Sequence, residues 1–311
     1  MQAVQPAAGR PLTVRQMEYI VAVAEFGNMS RAAQFCLVSQ PSLAEQIAVA
    51  ERTLGVQLFV RGKRRAVPTV IGEQIIAACR NAVRAVDDVM MTARLGEAVR
   101  IGAIDTVAPY LFGPWMRQLR DKDTPRLIPM QGKTRDLIEQ LRDGDVDAIV
   151  IAGNAGAGFT HIPLGDDPLL LATPGNEKAA NPAGLTEVAE RDFLVLSDGH
   201  CLRENVVDLC RRANVPGEQI GHLEASSIEV VIEMVANGLG STLVPGIAAS
   251  RFMSRRDVKL SLFEGELSVK RPLVLVFRRD HPQHKALSEI AEIAAQTVLE
   301  STAQVVEKLT K

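Results

Sequence analysis

Apolar residues recur every three or four positions in three stretches near the start of the chain, residues 14–26, 31–36 and 40–54. This spacing predicts three amphipathic helices. A Thr precedes the first stretch, Ser30 is the expected N-cap of the second, and Ser or Gln precedes the Pro that opens the third. A Gly follows the first and the third stretch, as is typical where helices end.

A basic hairpin is predicted after the third helix. Residues 56–61 have the composition of a strand, 62–65 form a Gly-Lys-Arg-Arg turn, and 66–69 can return as a second strand. Three helices and such a hairpin predict a winged helix-turn-helix over residues 12–70, whose third helix enters the major groove of DNA. An exposed charged turn is the alternative explanation of the basic cluster. The candidate DNA-binding residues are Gln40, Ser42 and Gln46 on the helix, and Arg61, Lys63, Arg64 and Arg65 on the hairpin.

One apolar stripe continues through residues 71–95 and predicts a single long helix. A helix of this length between two domains has little of its own chain to pack on, so a second copy of the chain would bury the stripe. We therefore expect a dimerising linker helix over residues 71–97. Residues 1–11, rich in Ala, Pro and Gly, are predicted to be a disordered extension.

Beyond residue 98, short apolar strands alternate with amphipathic helices, which is the pattern of an α/β sheet with parallel crossovers. The chain forms part of one α/β unit, then forms a second unit, and finally returns to complete the first. The expected lobe I covers about 98–168 and 272–311, and lobe II about 169–271. In open α/β sheets a ligand binds beyond the carboxyl ends of the strands.

Charge and composition narrow the class of protein. Residues 1–65 carry eight Lys or Arg against four Asp or Glu, whereas the remainder carries 27 against 33. A basic module on an acidic body is typical of proteins that bind nucleic acid. No apolar run is long enough to span a membrane and no secretory signal is evident, so a cytoplasmic location is expected. The four cysteines lack metal-binding spacing, and no cofactor is predicted.

Two of the cysteines, Cys201 and Cys210, lie on one predicted helix. Cys201 follows a Gly turn, so its thiol lies near the helix N-terminus, where the dipole and the neighbouring His200 and Arg203 favour a thiolate. Nine residues of helix span ~13 Å, whereas a disulfide needs Cα atoms within about 4.4–6.8 Å. Either the two thiols are packing residues, or they bond only when the segment refolds.

The N-terminal module resembles the DNA-binding domain of LysR-type transcriptional regulators, notably at residues 30–33, 38–43, 54–59 and 69–72. Residues 141–149 and 234–245 resemble the two-lobed effector domain of that family, which is similar to periplasmic binding proteins. The resemblance implies a regulator, not an enzyme, that binds promoter DNA as a homodimer to homotetramer and acts with RNA polymerase.

Residues 196–204 with Cys210, together with 105–111 and 275–278, resemble the members of the family that sense hydrogen peroxide. The resemblance implies that Cys201 reacts with peroxide and then forms a disulfide with Cys210. Through this disulfide the regulator would control antioxidant genes. Met130 and Glu204 depart from the His and Asp common in those members. The peroxide site implied by the resemblance comprises Thr106 and Thr134 as hydrogen-bonding groups, His200 as an orienting group and Arg278 as the cation that favours the thiolate.

Two other functions remain open. The chain could be a LysR-type regulator that binds a small-molecule metabolite between the lobes, with the thiols incidental. It could also be a thiol peroxidase, although the DNA-binding module would then be unexplained. For Thr106 and Thr134, helix N-capping is the alternative role.

Overall fold

The computed structural model describes residues 12–61, 66–93, 98–265 and 269–311. The chain forms two compact units, Met1–Arg94 and Leu95–Lys311. The predicted extension 1–11 and the hairpin residues Lys63, Arg64 and Arg65 lie outside the described residues. No helix in the described ranges is long and apolar enough to cross a membrane.

The first unit is a winged helix-turn-helix followed by a long helix, as the sequence predicts. Its core is apolar and includes Ile20, Val23, Leu43, Ile47 and Leu58, all fully buried. The two strands pair antiparallel. The elements are α1 (Val14–Phe26), α2 (Met29–Phe35), α3 (Gln40–Leu54), β1 (Phe59–Arg61), β2 (Ala66–Pro68) and α4 (Val70–Ala93).

Helix α2 begins two residues before the predicted start, and Ser30 is not its N-cap. The cap is Asn28, whose side-chain oxygen accepts hydrogen bonds from the backbone N–H groups of Ser30 and Arg31 at 2.9 and 3.1 Å. An Asn side chain satisfies the free N–H groups of a first turn as well as Ser does. The earlier of two suitable residues therefore starts the helix.

Among the described residues the second unit contains a seven-stranded mixed sheet and a two-stranded parallel sheet, and helices pack against both. The helices are α5 (Ala108–Leu119), α6 (Thr134–Asp143), α7 (Leu185–Ala189), α8 (Cys201–Arg212), α9 (Ile228–Ala236), α10 (Gly246–Ala249) and α11 (His284–Thr310). The strands are β3 (Ala98–Ile104), β4 (Arg126–Gly132), β5 (Ala148–Ala152), β6 (Phe159–Pro174), β7 (Phe193–Leu196), β8 (Ile220–Ala225), β9 (Thr242–Pro245), β10 (Val258–Ser261) and β11 (Lys270–Arg278).

Strand β6 joins the two halves of this unit. Its first part, 159–168, pairs antiparallel with β11, and its last part pairs with β9 and β10. The order across the described sheet is β10-β6-β11-β5-β3-β4, with β9 also on β6, while β7 and β8 pair in parallel. This two-part α/β architecture agrees with the predicted fold class.

Strand β6 crosses the predicted boundary between lobe I and lobe II at residues 168 and 169, and a strand was not evident from the sequence before that boundary. The stretch Gly165, Asp166, Asp167, Pro168 has the composition of a turn, which hides the strand. Gly165 has φ 123°, in the region that favours glycine, and the pairing with β11 shifts register beside it. The irregularity brings Asp167 opposite Arg271 of β11.

Candidate functional site

Cys201 is the first residue of α8 and its thiol is half buried. The turn that leads into the helix contains Gly199 with φ 91°, where a Cβ would lie 3.0 Å from Lys133 Cδ. Lys133 Nζ donates a hydrogen bond to the Asp198 carbonyl oxygen at 2.7 Å. A glycine turn and a lysine from the other half of the unit thus fix the N-terminal end of α8.

Arg271 is the cation beside the thiol. Its Nη1 lies 3.7 Å from Cys201 Sγ and donates to Thr106 Oγ1 at 2.7 Å. The side chain is 2% exposed, and its charge is constant because a guanidinium does not deprotonate in proteins. A fixed positive charge and a helix N-terminus are the two features that commonly accompany reactive cysteines.

The structure contradicts the predicted position of Arg278. Arg278 lies at the far end of β11, opposite Phe159, whereas Arg271 lies near the beginning of that strand. Seven residues of extended chain separate the two arginines by about 23 Å. The sequence of β11 does not distinguish Lys270, Arg271 and Arg278, because a charged residue that flanks an apolar strand is usually exposed to solvent.

The buried carboxylate of Asp167 holds Arg271 in place. Asp167 Oδ2 accepts a hydrogen bond from Arg271 Nε at 3.0 Å, and Oδ1 accepts one from the Ile247 N–H at 2.9 Å. Burial raises the pKa of Asp167, and the charge of Arg271 opposes that shift. Because α10 begins beside Ile247 and Thr106 follows β3, the pair joins both halves of the unit next to the thiol.

Neither threonine caps a helix, so the alternative role considered for them is excluded. The N-caps of α5 and α6 are Val107 and Lys133, without side-chain hydrogen bonds. The Thr106 hydroxyl accepts from Arg271 and therefore positions the guanidinium. The Thr134 hydroxyl is buried and has no hydrogen-bond partner among the described residues. It can therefore bind a small polar molecule.

Cys201, His200 and Thr134 line one open cavity of about 670 Å³ between the halves of the second unit. Peroxide needs roughly the volume of two waters, about 60 Å³, so the cavity admits it easily. Glu204 and Met130 are the two residues that depart from those common in peroxide-sensing members of the family. Glu204 also lines the cavity, whereas Met130 is half buried in β4. Of the residues predicted for the peroxide site, Thr134 and His200 line this cavity with Cys201, and Thr106 contacts Arg271 beside the thiol.

His200 is buried at the N-cap position of α8, and its Nδ1 lies 3.6 Å from Asp105 Oδ2. Burial lowers the pKa of His200, and the nearby Asp105 opposes the shift. The imidazole is therefore neutral at pH 7. The sequence assigned a positive charge to His200 and Arg203, but Arg203 forms ion pairs with Asp198 and Glu224 instead. The charge next to the thiol comes from Arg271.

Cys210 lies in the last turns of α8 and is fully buried. Burial raises the pKa of its thiol to about 12, so the thiol is protonated at neutral pH. The helix is continuous from Cys201 to Cys210, which separates the two by ~13 Å. A bond between them is impossible in this conformation.

The predicted DNA-contact residues differ in their availability. Gln40 and Ser42 are exposed at the start of α3, and Gln40 Oε1 accepts a hydrogen bond from Ser30 Oγ at 2.8 Å. Gln46 is half buried, and its Oε1 accepts from Gln16 Nε2 at 3.1 Å, which links α3 to α1. Arg61 ends β1. The contact of Gln46 with DNA stays a prediction, and its hydrogen bond to Gln16 is a feature that the spacing did not indicate.

Two family models match the chain. Residues 14–73 match the bacterial regulatory helix-turn-helix protein, lysR family, and residues 92–298 match the LysR substrate binding domain. Among curated relatives, a probable hydrogen peroxide-inducible genes activator of Mycobacterium leprae is 32% identical, covering 92% of this chain and 94% of the relative. The DNA-binding transcriptional dual regulator OxyR of Escherichia coli is 33% identical, with 90% and 94% covered.

Solved structures of similar proteins cover nearly the whole chain. A cysteine-to-aspartate variant of full-length OxyR from Pseudomonas aeruginosa has a TM-score of 0.69 and 28% identity, covering 93% of this chain and 95% of that one. A peroxide-bound cysteine-to-serine mutant of OxyR from Corynebacterium glutamicum has a TM-score of 0.64 and 28% identity, with 96% of both chains covered.

Proposed function

Because this chain belongs to the LysR family of bacterial regulatory helix-turn-helix proteins, we propose that it is a transcriptional activator that senses hydrogen peroxide through Cys201. The contact of Arg271 with Cys201 Sγ, at a helix N-terminus, is the observation that carries the proposal. The unpartnered hydroxyl of Thr134 in the same cavity supports it. So do the curated relatives, which are named as peroxide-inducible activators.

The first chemical step is attack of the Cys201 thiolate on one peroxide oxygen. The S–O bond forms as the O–O bond breaks, and the departing hydroxide takes a proton and leaves as water. Cys201 is thereby oxidised to a sulfenic acid. Arg271 and the start of α8 stabilise the thiolate, and the Thr134 hydroxyl can hydrogen-bond the bound peroxide.

The second step is attack of Cys210 on the sulfenic sulfur. The S–S bond forms, the S–O bond breaks, and a second water leaves, so that one peroxide oxidises two thiols to a disulfide. Because ~13 Å of helix separates the two residues, at least part of α8 must unwind first. Leu202, Val206 and Leu209, which are buried in α8, then leave the core.

We further propose that this refolding changes how copies of the chain pack, and hence how their DNA-binding domains are spaced. In this scheme α4 and the linker 71–97 hold a dimer, dimers associate as a tetramer, and the DNA-bound form engages RNA polymerase. Gln40 and Ser42 would read bases, while Arg61, Lys63, Arg64 and Arg65 would hold phosphates.

Peptide mapping without reductant tests the proposal directly. Reduced protein is exposed to one equivalent of peroxide, alkylated and digested. We expect a bridge between the peptides that contain Cys201 and Cys210. The Cys210→Ser variant should instead accumulate a sulfenic acid at Cys201, trapped by a dimedone probe. A wild-type protein that activates without this bridge would contradict the proposal.

A second candidate function is supported by the size of the cavity. Its volume of about 670 Å³ lies within the range of roughly 300–1,000 Å³ that is usual for small-molecule sites. In that case a metabolite bound between the lobes would be the signal and the thiols would be incidental. A Cys201→Ser variant that still responds fully to the inducing signal would favour this function over peroxide sensing.

A further inference from the structure

The turn between α2 and α3 contains a leucine in the left-handed conformation. Leu37 has φ 55°, and its N–H donates to the Gln34 carbonyl oxygen at 3.2 Å. The Val38 N–H donates to the Ala33 carbonyl oxygen at 3.0 Å. These two bonds form a Schellman motif that closes α2. Its left-handed position normally holds Gly or Asn, because a Cβ makes this conformation costly.

The side chain of Leu37 does not contribute to the core. It is 91% exposed, more than any other large hydrophobic residue among those described. Its neighbours Cys36 and Val38, by contrast, pack on the core of the first unit. A strained backbone and an exposed leucine are both unfavourable for the isolated protein. The folding of this unit therefore gives no reason for leucine at this position.

Leu37 lies three residues before Gln40, the first residue of α3. In a helix-turn-helix the N-terminal end of this second helix contacts base edges in the major groove. Gln40 and Ser30 are both exposed and are joined by a hydrogen bond. Leu37 therefore extends the surface that the family's DNA-binding domain presents to duplex DNA.

We propose that Leu37 is a specificity-determining residue that contacts the 5-methyl group of a thymine in the major groove. This methyl group is the apolar feature of base edges in that groove, and it matches an exposed aliphatic side chain. Gln40 Oε1 accepts a hydrogen bond from Ser30 Oγ, so the N–H groups of the Gln40 side-chain amide are the donors that this residue can offer to a base beside Leu37. A thymine offers the O4 acceptor next to its methyl group. The proposal rests on DNA binding alone and not on peroxide sensing.

The test removes the methyl group from the DNA. A duplex is first selected from a random library with the reduced wild-type chain. Each dT is then replaced singly by dU, and the Kd is measured at one salt concentration. At one thymine in each half-site we expect binding to weaken about three- to fourfold, the effect of burying one methyl group. Thymines outside the stretch of duplex that the protein covers serve as controls.

Leu37→Asn and Leu37→Gly are the matched protein variants, since both residues tolerate the left-handed conformation and should fold with an unchanged or higher Tm. Each variant should bind the unmodified duplex about as weakly as wild type binds the dU duplex, and should not respond to dU. An equal dU effect in wild type and variants overturns the proposal, as does the lack of any dU effect. A variant that changes only the oligomeric state would assign Leu37 to a contact between copies, which also overturns it.

Discussion

Cys201 and Cys210 lie in the same helix and in opposite surroundings. The thiol of Cys201 is at the helix N-terminus, faces a cavity and lies 3.7 Å from a guanidinium. The thiol of Cys210 is fully buried among apolar side chains, and burial raises its pKa to about 12. The difference supports the proposed roles, in which the thiol of Cys201 attacks peroxide and the thiol of Cys210 reacts only after the helix unwinds.

The largest expected effect comes from removing the charge that distinguishes Cys201. Replacing Arg271 alone would leave Asp167 as an unpaired buried charge, so the informative variant is Arg271→Gln with Asp167→Asn. We expect the rate of peroxide attack at pH 7 to fall about tenfold or more, because no guanidinium then lies 3.7 Å from the sulfur to stabilise the attacking thiolate and the departing oxygen. Stopped-flow kinetics of sulfenic acid formation gives the rate.

Arg278→Gln is the matched control for that experiment. Arg278 lies on the same strand but about 23 Å from Arg271, so its replacement should leave the rate of attack unchanged. If Arg278→Gln slowed the reaction and the double variant did not, the cation at the thiol would have been assigned to the wrong end of β11.

A smaller effect is expected from changing how easily α8 unwinds. Asp208 is exposed in this helix, and Ala has a higher helix propensity by about 0.6 kcal/mol. Asp208→Ala should slow formation of the Cys201–Cys210 bridge about threefold, while Asp208→Gly should accelerate it. Quenched-flow alkylation measures the rate of this bridge. The rate of sulfenic acid formation should be the same in both variants. If the variants changed the rates of sulfenic acid formation and of bridge formation equally, the effect would not come from unwinding of α8, which would contradict the prediction.

The smallest effect concerns the pH dependence of the N-terminal end of α8. Burial lowers the pKa of His200, so the unfolded chain takes up a proton that the folded chain does not. The contribution of this group to the free energy of unfolding is therefore fully present above pH 6.5, and it is lost as the pH falls below that value. Between pH 7 and pH 5 we therefore expect the free energy of unfolding to decrease.

Thermal unfolding at several pH values tests that sign, with His200→Gln as the comparison. The variant lacks the titrating group, so its stability should fall less than that of wild type across the same interval. A wild-type protein that gains stability relative to the variant on acidification would show that His200 binds its proton in the folded state.

The sequence predicted the first unit well because its signals are local. The Gly residues at 27 and 55 end α1 and α3, as their spacing indicated, and Ser39, one of the two residues suggested before the Pro, caps α3. The start of α2 was wrong by two residues, since Asn28 and Ser30 are both competent caps and the sequence does not rank them.

The site was predictable only where its residues are close in sequence. Cys201 and its helix N-terminus follow from the pattern around residue 200. Arg271 does not, because Asp167 and Thr106 lie more than a hundred residues away and only the fold brings them together. The turn-like composition around Asp167 also concealed the strand that carries it.

Hydrogen–deuterium exchange of α8 before and after oxidation tests the central claim most directly. In the reduced protein the amides of 201–212 should be protected, because they belong to a helix packed on the core. After one equivalent of peroxide we expect the bridge between Cys201 and Cys210 together with loss of that protection. A bridged protein whose α8 amides stay protected, or an oxidised protein without the bridge, would contradict the account.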